Sequence, residues 1–312
     1  MSDYIISNDV LIDIKGKKIA PWREKKERSV LLSQSYYRLN LNKFDRVAGC
    51  SSFLEFHRFT DNTLNLNYAN FCRDRLCPMC SWRRSLKIFS QVSKVIDYIS
   101  LNHESSYLFA TFTIRNCSIE DLSETIDLLL YSWKKLSLQK KFKSVVTGSF
   151  RALEVTYNKK TDEWHPHLHV ILSVDKNYFS NSYISQKEWS VMWHKALKVD
   201  NMPIVDIRRL KTLKGVSEAS KYSVKGSDYL YDDTFLTDKL VMSLDLALSN
   251  RRLASFTGLF KEVHKKLNLD DPEDGDIVYL DSEEINDQVD YILEKYQWFA
   301  GFNNYYLVSN EP

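Results

Sequence analysis

Residues 149–157, SFRALEVTY, and residues 164–174, WHPHLHVILSV, are two apolar-rich runs separated by the polar stretch 158–163. Two such runs joined by a short polar turn read as a β-hairpin. Side chains on a strand alternate between its faces, so His165, His167 and His169 project to one side. The chain has seven histidines in 312 residues, and three at alternate positions of one strand point to a metal ion. If Tyr157 pairs with Trp164, antiparallel register sets Glu154 directly opposite His167. Glu154 lies inside an apolar run, where an unpaired carboxylate is costly and a neighbouring cation removes the cost. Two imidazoles and one carboxylate leave coordination positions open for water and a phosphate oxygen, as a catalytic ion requires. Mixed nitrogen and oxygen ligands suit Mn²⁺ or Mg²⁺ and do not exclude Zn²⁺. His165 is the alternative to Glu154 as third ligand, or a residue that orients its neighbour.

Outward from the hairpin, residues 107–114 (YLFATFTI) read as a buried strand, and Ser118 with Asp121 opens a helix to about Lys141. Ser185 and Glu188 open a second capped helix to about Lys198, and residues 203–209 (PIVDIRR) read as a last strand. The resulting order, βαββαβ, predicts an α+β fold: a ferredoxin-like antiparallel sheet with helices on one face and an open face for a site. Four segments follow along the chain. Residues 1–46 form an extended basic arm, 47–100 a cysteine-rich unit ending in a helix over 85–99, 101–245 the catalytic core, and 246–312 a helical C-terminal region carrying an acidic stretch.

Residues 215–226, GVSEASKYSVKG, read as a short helix bounded by glycines, with Glu218, Tyr222 and Lys225 at i, i+4 and i+7 on one stripe. A free phenol with a pKa near 10 is a poor nucleophile unless its anion is stabilised. Lys225 can stabilise that charge and Glu218 can accept the proton. Upstream, Cys50, Cys72, Cys77 and Cys80 have spacings compatible with a closed tetrahedral Zn²⁺ site, while Cys117 is a bystander. Arg73, Arg75, Arg83, Arg84 and Lys87 supply cations around that unit, and Trp82 offers a stacking face. Together they make a candidate DNA-contact surface.

The net charge of +2 conceals an asymmetry. Of 41 acids, ten lie in residues 270–290 with no base among them, which leaves 43 bases against 31 acids, or +12, for the remainder. A body that basic attracts polyanions, and the acidic block reads as a solvated segment that competes for it. No run of about 18 apolar residues and no signal-peptide pattern is present, so the sequence predicts a cytoplasmic protein without a membrane partner. Five cysteines in a chain of this size read as reduced thiols or metal ligands rather than disulfides.

HPHLHVIL at 165–172 resembles the HUH motif of rolling-circle initiators, LFATFTIRN at 108–116 their first sheet motif, and EASKYSVK at 218–225 their single-tyrosine motif. FCRDRLCPMCSWRRSLK at 71–87 and NRRLASFTGLFKE at 250–262 are similar to segments of the replication initiators of small plasmids of Gram-positive bacteria. The likeness spans roughly residues 47–260. It implies that His167 and His169 hold a divalent cation and that Tyr222 attacks the scissile phosphate at the plasmid origin. A 5′-phosphotyrosine forms, the 3′ hydroxyl primes synthesis, and Glu218 acts at termination. The implied partners are origin DNA, single-stranded or extruded as a hairpin, a host helicase and DNA polymerase, and a second copy of the chain as a candidate dimer. Rival readings are a relaxase or a single-tyrosine transposase, and more distantly a zinc hydrolase using metal-bound water or a non-catalytic zinc-dependent DNA-binding protein.

Overall fold

The computed structural model describes residues 9–210, 213–220, 224–280 and 290–311. The chain opens with β1 (Ile14–Lys15), β2 (Lys18–Ile19), α1 (Trp22–Arg38), α2 (Phe44–Ala48), β3 (Phe53–Phe59), β4 (Leu64–Ala69) and α3 (Pro78–Asn102). Next, β5 (Ser105–Thr113) leads through α4 (Leu122–Ser137) and α5 (Lys140–Lys143) to β6 (Val146–Asn158) and β7 (Glu163–Asp175). Then α6 (Tyr178–Asn181) and α7 (Gln186–Leu197) precede β8 (Val205–Arg209) and α8 (Leu213–Ala219). The remaining elements are α9 (Thr234–Leu248), β9 (Ala254–Gly258), α10 (Leu259–Lys266), β10 (Tyr291–Phe299) and β11 (Asn304–Glu311). No helix among the described residues is long and apolar enough to cross a membrane.

Two compact units divide the chain, one drawn from Met1–Arg83, Leu230–Val241 and Asp276–Pro312, the other from Arg84–Tyr229 and Met242–Gly275. The first unit is built on a four-stranded antiparallel sheet ordered β11-β10-β3-β4. Leu54, Phe56, Leu64, Leu66 and Tyr296 are buried on it, and Trp22 of α1 meets Phe56 edge-on at 5.5 Å. The extended arm expected for residues 1–46 is therefore a helix over Trp22–Arg38. Its buried stripe runs Trp22, Lys26, Ser29, Ser33, Tyr36, so polar side chains occupy positions where apolar periodicity would have announced a helix. The C-terminal region expected to be helical does contain α9 and α10, but it ends in a β-hairpin whose first strand pairs with β3. A register shift at Lys295/Tyr296 interrupts the strand alternation there.

The second unit carries an antiparallel sheet ordered β8-β5-β7-β6-β9. Its chain order is the anticipated strand, helix, strand, strand, helix, strand, with α5 and α6 as short additions and β9 joined at one edge. On one face, Phe112 of β5 meets Trp193 of α7 at 5.3 Å and Trp133 of α4 at 5.6 Å, and Phe142 closes on Trp133 and Trp189. These rings account for much of the burial that fixes α4 and α7 to the sheet. The second helix starts as expected: Ser185 and Glu188 form a reciprocal capping box, and Lys198 ends it in the left-handed conformation. Thr111, Thr113, His167 and His169 occupy the opposite face of the same strands.

The β9 edge depends on two glycines. Gly148 pairs with Gly258, and a Cβ on Gly148 would come within 2.7 Å of the backbone nitrogens of Leu259 and Phe260. Gly258 adopts φ of +53°, and a Cβ there would overlap the Thr147 carbonyl oxygen. The acidic stretch contributes a clasp beside this edge. Glu273, 3% exposed, accepts hydrogen bonds from the backbone N–H groups of Leu253 and Ala254 at 2.9 Å each. Arg151 donates to the carbonyls of Leu253 and Arg252, and burial pushes its guanidinium down to about 10. Residues 270–275 are thus tied into the fold at buried Pro272 and Glu273 rather than wholly solvated as expected, and their carboxylates and carbonyls satisfy buried donors while Asp270 and Asp274 stay exposed. Gly258→Ala is expected to lower unfolding stability by about 1–3 kcal/mol in urea titration; stability equal to the parent would mean that the two backbones have room to part.

Candidate functional site

The hairpin forms in the expected register, with Tyr157 paired to Trp164 and Glu154 to His167. Glu154, His167 and His169 are all buried, and their ligand atoms lie within 4.8 Å of one another. His169 Nε2 is 2.8 Å and His167 Nε2 3.4 Å from Glu154 Oε2, and the two Nε2 atoms are 3.2 Å apart. His167 Nδ1 lies 3.1 Å from the carbonyl oxygen of His165, which can only accept, so the proton of a neutral His167 belongs on Nδ1. His169 Nδ1 is 3.1 Å from Thr111 Oγ1. Both outer nitrogens thus have oriented partners, and both inner nitrogens converge with a carboxylate oxygen on one point. A divalent cation fits that donor set.

Burial pushes the Glu154 carboxyl up, but its close contacts with the His167 and His169 imidazoles and the Lys225 charge outweigh it and hold the group well below the usual carboxylate range. Lys225 Nζ sits 3.1 Å from Glu154 Oε1; burial lowers its pKa, but the carboxylates of Glu154, Asp228 and Glu218 together outweigh burial and leave it raised. Glu218 reaches the same place from α8, with Oε1 3.9 Å from His169 Nε2. The single helix expected over 215–226 is not what carries these groups. α8 ends at Ala219, and Lys225 is extended, with φ −88° and ψ 140°, before a 3₁₀ turn at Gly226–Asp228. Tyr222 lies outside the described residues.

His165 stands apart from the three converging ligands. Its Nδ1 lies 2.8 Å from Asn116 Oδ1, and its ring stacks on His167 with centroids 5.0 Å apart. Burial, and then the charge of His167, lowers its pKa. Asn116 and Thr111 were not singled out in the sequence. Their signal lay in LFATFTIRN, where Thr111 alternates with the buried Ala110 and Phe112 and so shares the face of His169.

In the other unit Cys50, Cys72, Cys77 and Cys80 are all buried and unbridged by disulfides. Sulfur separations of 3.6 Å for Cys50–Cys80 and Cys50–Cys77 and 3.7 Å for Cys72–Cys80 match a tetrahedron. Ligands about 2.3 Å from a zinc ion would stand about 3.8 Å apart. The backbone N–H groups of Cys72 and Arg73 point at sulfurs at 3.4 and 3.2 Å, and Ser29 Oγ lies 3.3 Å from Cys77 Sγ. Lys26, 1% exposed, donates to the carbonyls of Ala48 and Cys50 at 2.7 and 2.6 Å, which places a cation under the sulfurs. The sequence reading places Lys26 in an extended basic arm.

The surface expected of the basic residues around the cysteines is only partly present. Arg73 is exposed and Arg75 half-buried. Trp82 is half-buried and meets Trp22 edge-on at 4.8 Å. Arg83 is buried and donates to the carbonyls of Ile277 and Val278 at 2.9 and 2.6 Å. In the second unit Arg84 donates to the Glu273 carbonyl at 3.1 Å and Lys87 to the Asp270 carboxylate, both from buried positions. These three cations face the protein interior rather than the solvent side expected of them.

The family model described as "Replication protein" matches residues 63–306. The chain belongs to that family, which bears out the family resemblance read from its motifs. It is 38% identical to "Protein rep" of Bacillus amyloliquefaciens over 98% of each chain. It is 36% identical to "Protein rep" of Streptococcus pneumoniae serotype 2, again over 98% of each, and 33% identical to "Protein rep" of Lactiplantibacillus plantarum over 93% of this chain and 96% of that one. No solved structure matches.

Because Thr111 orients the nitrogen of His169 that faces away from the ligand point, Thr111→Val is expected to weaken Mn²⁺ binding roughly ten-fold by isothermal titration; an unchanged affinity would exclude that supporting role.

Proposed function

We propose that the chain is a divalent-metal-dependent HUH endonuclease and strand transferase that initiates rolling-circle replication at a plasmid origin. The observation that carries this reading is the convergence of Glu154, His167, His169, Glu218 and Lys225 on one sheet face, in a chain of the replication protein family. The strand order β8-β5-β7-β6, with α4 and α7 packed on the far side, is consistent with an HUH core. Water, a carboxylate or a phosphate oxygen could share the remaining coordination positions of an ion held by three protein ligands. When bound, Mn²⁺ or Mg²⁺ would supply Lewis-acid polarisation of the scissile phosphate.

The chain's own residues do the rest. Tyr222 attacks phosphorus, its phenolic proton passes to Glu218, and the bond from phosphorus to the 3′ oxygen breaks. The leaving 3′ oxygen takes a proton from solvent, and the strand's 5′ phosphate stays on Tyr222. Lys225, 3.1 Å from Glu154 Oε1, offers a positive charge to the phenolate and phosphate charges that develop in this step. The free 3′ hydroxyl then primes a host DNA polymerase in the cytoplasm while a host helicase unwinds the duplex. We assign Zn²⁺ to Cys50, Cys72, Cys77 and Cys80 as a structural ion, and phosphate contact to Arg73 and Arg75, with Trp82 as a neighbouring ring.

The test uses supercoiled plasmid carrying the origin and Mn²⁺. The wild type is expected to nick it and leave a nucleotide on Tyr222 after nuclease digestion, while Tyr222→Phe slows nicking by about three orders of magnitude or more. Normal nicking by Tyr222→Phe would shift the chemistry to metal-activated water, and binding without cutting under any divalent ion would leave a DNA-binding protein. For the structural ion, native mass spectrometry is expected to find one Zn²⁺ that is lost in Cys77→Ser; folded zinc-free wild type would refute the assignment.

A further inference from the structure

Beside the histidine cluster lies an open cavity of about 850 Å³ between the end of β5 and the segment joining α7 to β8. His165 belongs to both places: it lines the cavity, and its ring stacks on His167. Arg115 is exposed at the cavity, and Asn116 and Glu163 form its polar wall. The opposite wall carries Met202 and Ile204, which are 57% and 74% exposed although both are apolar. We infer that this cavity is a nucleotide subsite: it takes one base of the single strand next to the scissile phosphate. The inference rests on the nicking reading and adds to it a place for the substrate.

Four features favour a nucleotide. A volume within the roughly 300–1,000 Å³ span of small-molecule pockets can hold a base with its sugar. Apolar side chains left facing solvent supply a surface for a base's flat face, which stacks without regard to sequence. Arg115 offers an exposed guanidinium to the neighbouring phosphate. The polar wall is already ordered, since Asn116 Oδ1 lies 2.8 Å from His165 Nδ1 and Asn116 Nδ2 donates to Glu163 Oε2 at 3.2 Å. With its amide engaged on both sides, Asn116 holds Glu163 in place, and the carboxylate keeps acceptor capacity for a second donor. A carboxylate accepts from the exocyclic amino groups of cytosine, adenine or guanine, whereas thymine has no such group. The subsite therefore disfavours thymine.

Two measurements on the full-length chain test this. The first is photo-crosslinking with single-stranded oligonucleotides that carry 5-iododeoxycytidine at successive positions. One position within a few nucleotides of the cut is expected to crosslink to residues 113–116 or 197–204. The second is cleavage of a randomised single-stranded pool, read by sequencing. Glu163→Gln is expected to reduce the discrimination against thymine at that position about ten-fold. Met202→Ala with Ile204→Ala is expected to weaken oligonucleotide binding about ten-fold while leaving Mn²⁺ affinity unchanged. Crosslinks confined to other regions, with binding unaltered in the double variant, would overturn the subsite even where nicking proceeds. Crosslinks at the cavity from a chain that never cuts DNA would keep the subsite and overturn the nicking reading. Failure of the pool to bind at all would overturn both.

Discussion

Glu154 meets His167 only because β6 and β7 pair in one register. A slip of one residue would turn Glu154 to the face filled by Phe112, Trp133 and Trp193, and would bring Val155 to the imidazoles. That slip would bury a carboxylate among aromatic rings and expose an apolar run, so the aromatic layer enforces the geometry of the polar site on the other side. Trp164, fully buried at the start of β7, fixes the same register from the turn: its ring meets Tyr157 at 4.9 Å, and its backbone bonds to Cys117 in both directions. The site thus depends on packing several residues away from its ligands.

Both candidate metal sites follow one electrostatic logic. Burying donor atoms without an ion is unfavourable, and each site has a lysine positioned against it: Lys225 at Glu154, and Lys26 under the cysteine sulfurs. The two lysines differ in what surrounds them. Lys26 is sealed in and bonded to two backbone carbonyls, and burial lowers its pKa against the cysteine charges that raise it, whereas the Lys225 side chain is about half exposed and can exchange its partner. A cysteine cluster with a sealed lysine suits a structural ion, and a histidine–carboxylate cluster with a half-exposed lysine suits a reactive one.

The hairpin, its register and the capping box at Ser185 were legible because each is governed by local rules: period two, a short turn, and a side chain reaching its own helix end. Helix α1 was not, because its buried face includes Lys26, Ser29 and Ser33, whose partners are remote backbone and sulfur atoms. The same remoteness hid the fate of Arg83, Arg84 and Lys87. Three cations in five residues of helix look solvent-facing in isolation, and only the return of residues 270–278, nearly two hundred positions later, gives them acceptors. Asn116 and Thr111 were missed for a related reason. Their neighbours are set by strand pairing and by a bridge across 49 residues, not by any motif spacing.

That return also changes how the charge of the chain should be weighed. The balance of +12 outside residues 270–290 suggested a body covered in available cations. Yet Lys87 is held by Asp270 and Arg84 by the Glu273 carbonyl, so part of the excess is spent inside the fold. Long-range attraction of DNA depends on the total and survives this pairing, but contact with phosphates depends on which cations reach solvent. Arg73 and Arg115 do reach it, one beside the cysteine cluster and the other beside the histidine cluster. On the proposed reading, recognition of a strand depends less on the number of basic residues than on which of them reach solvent beside the two clusters.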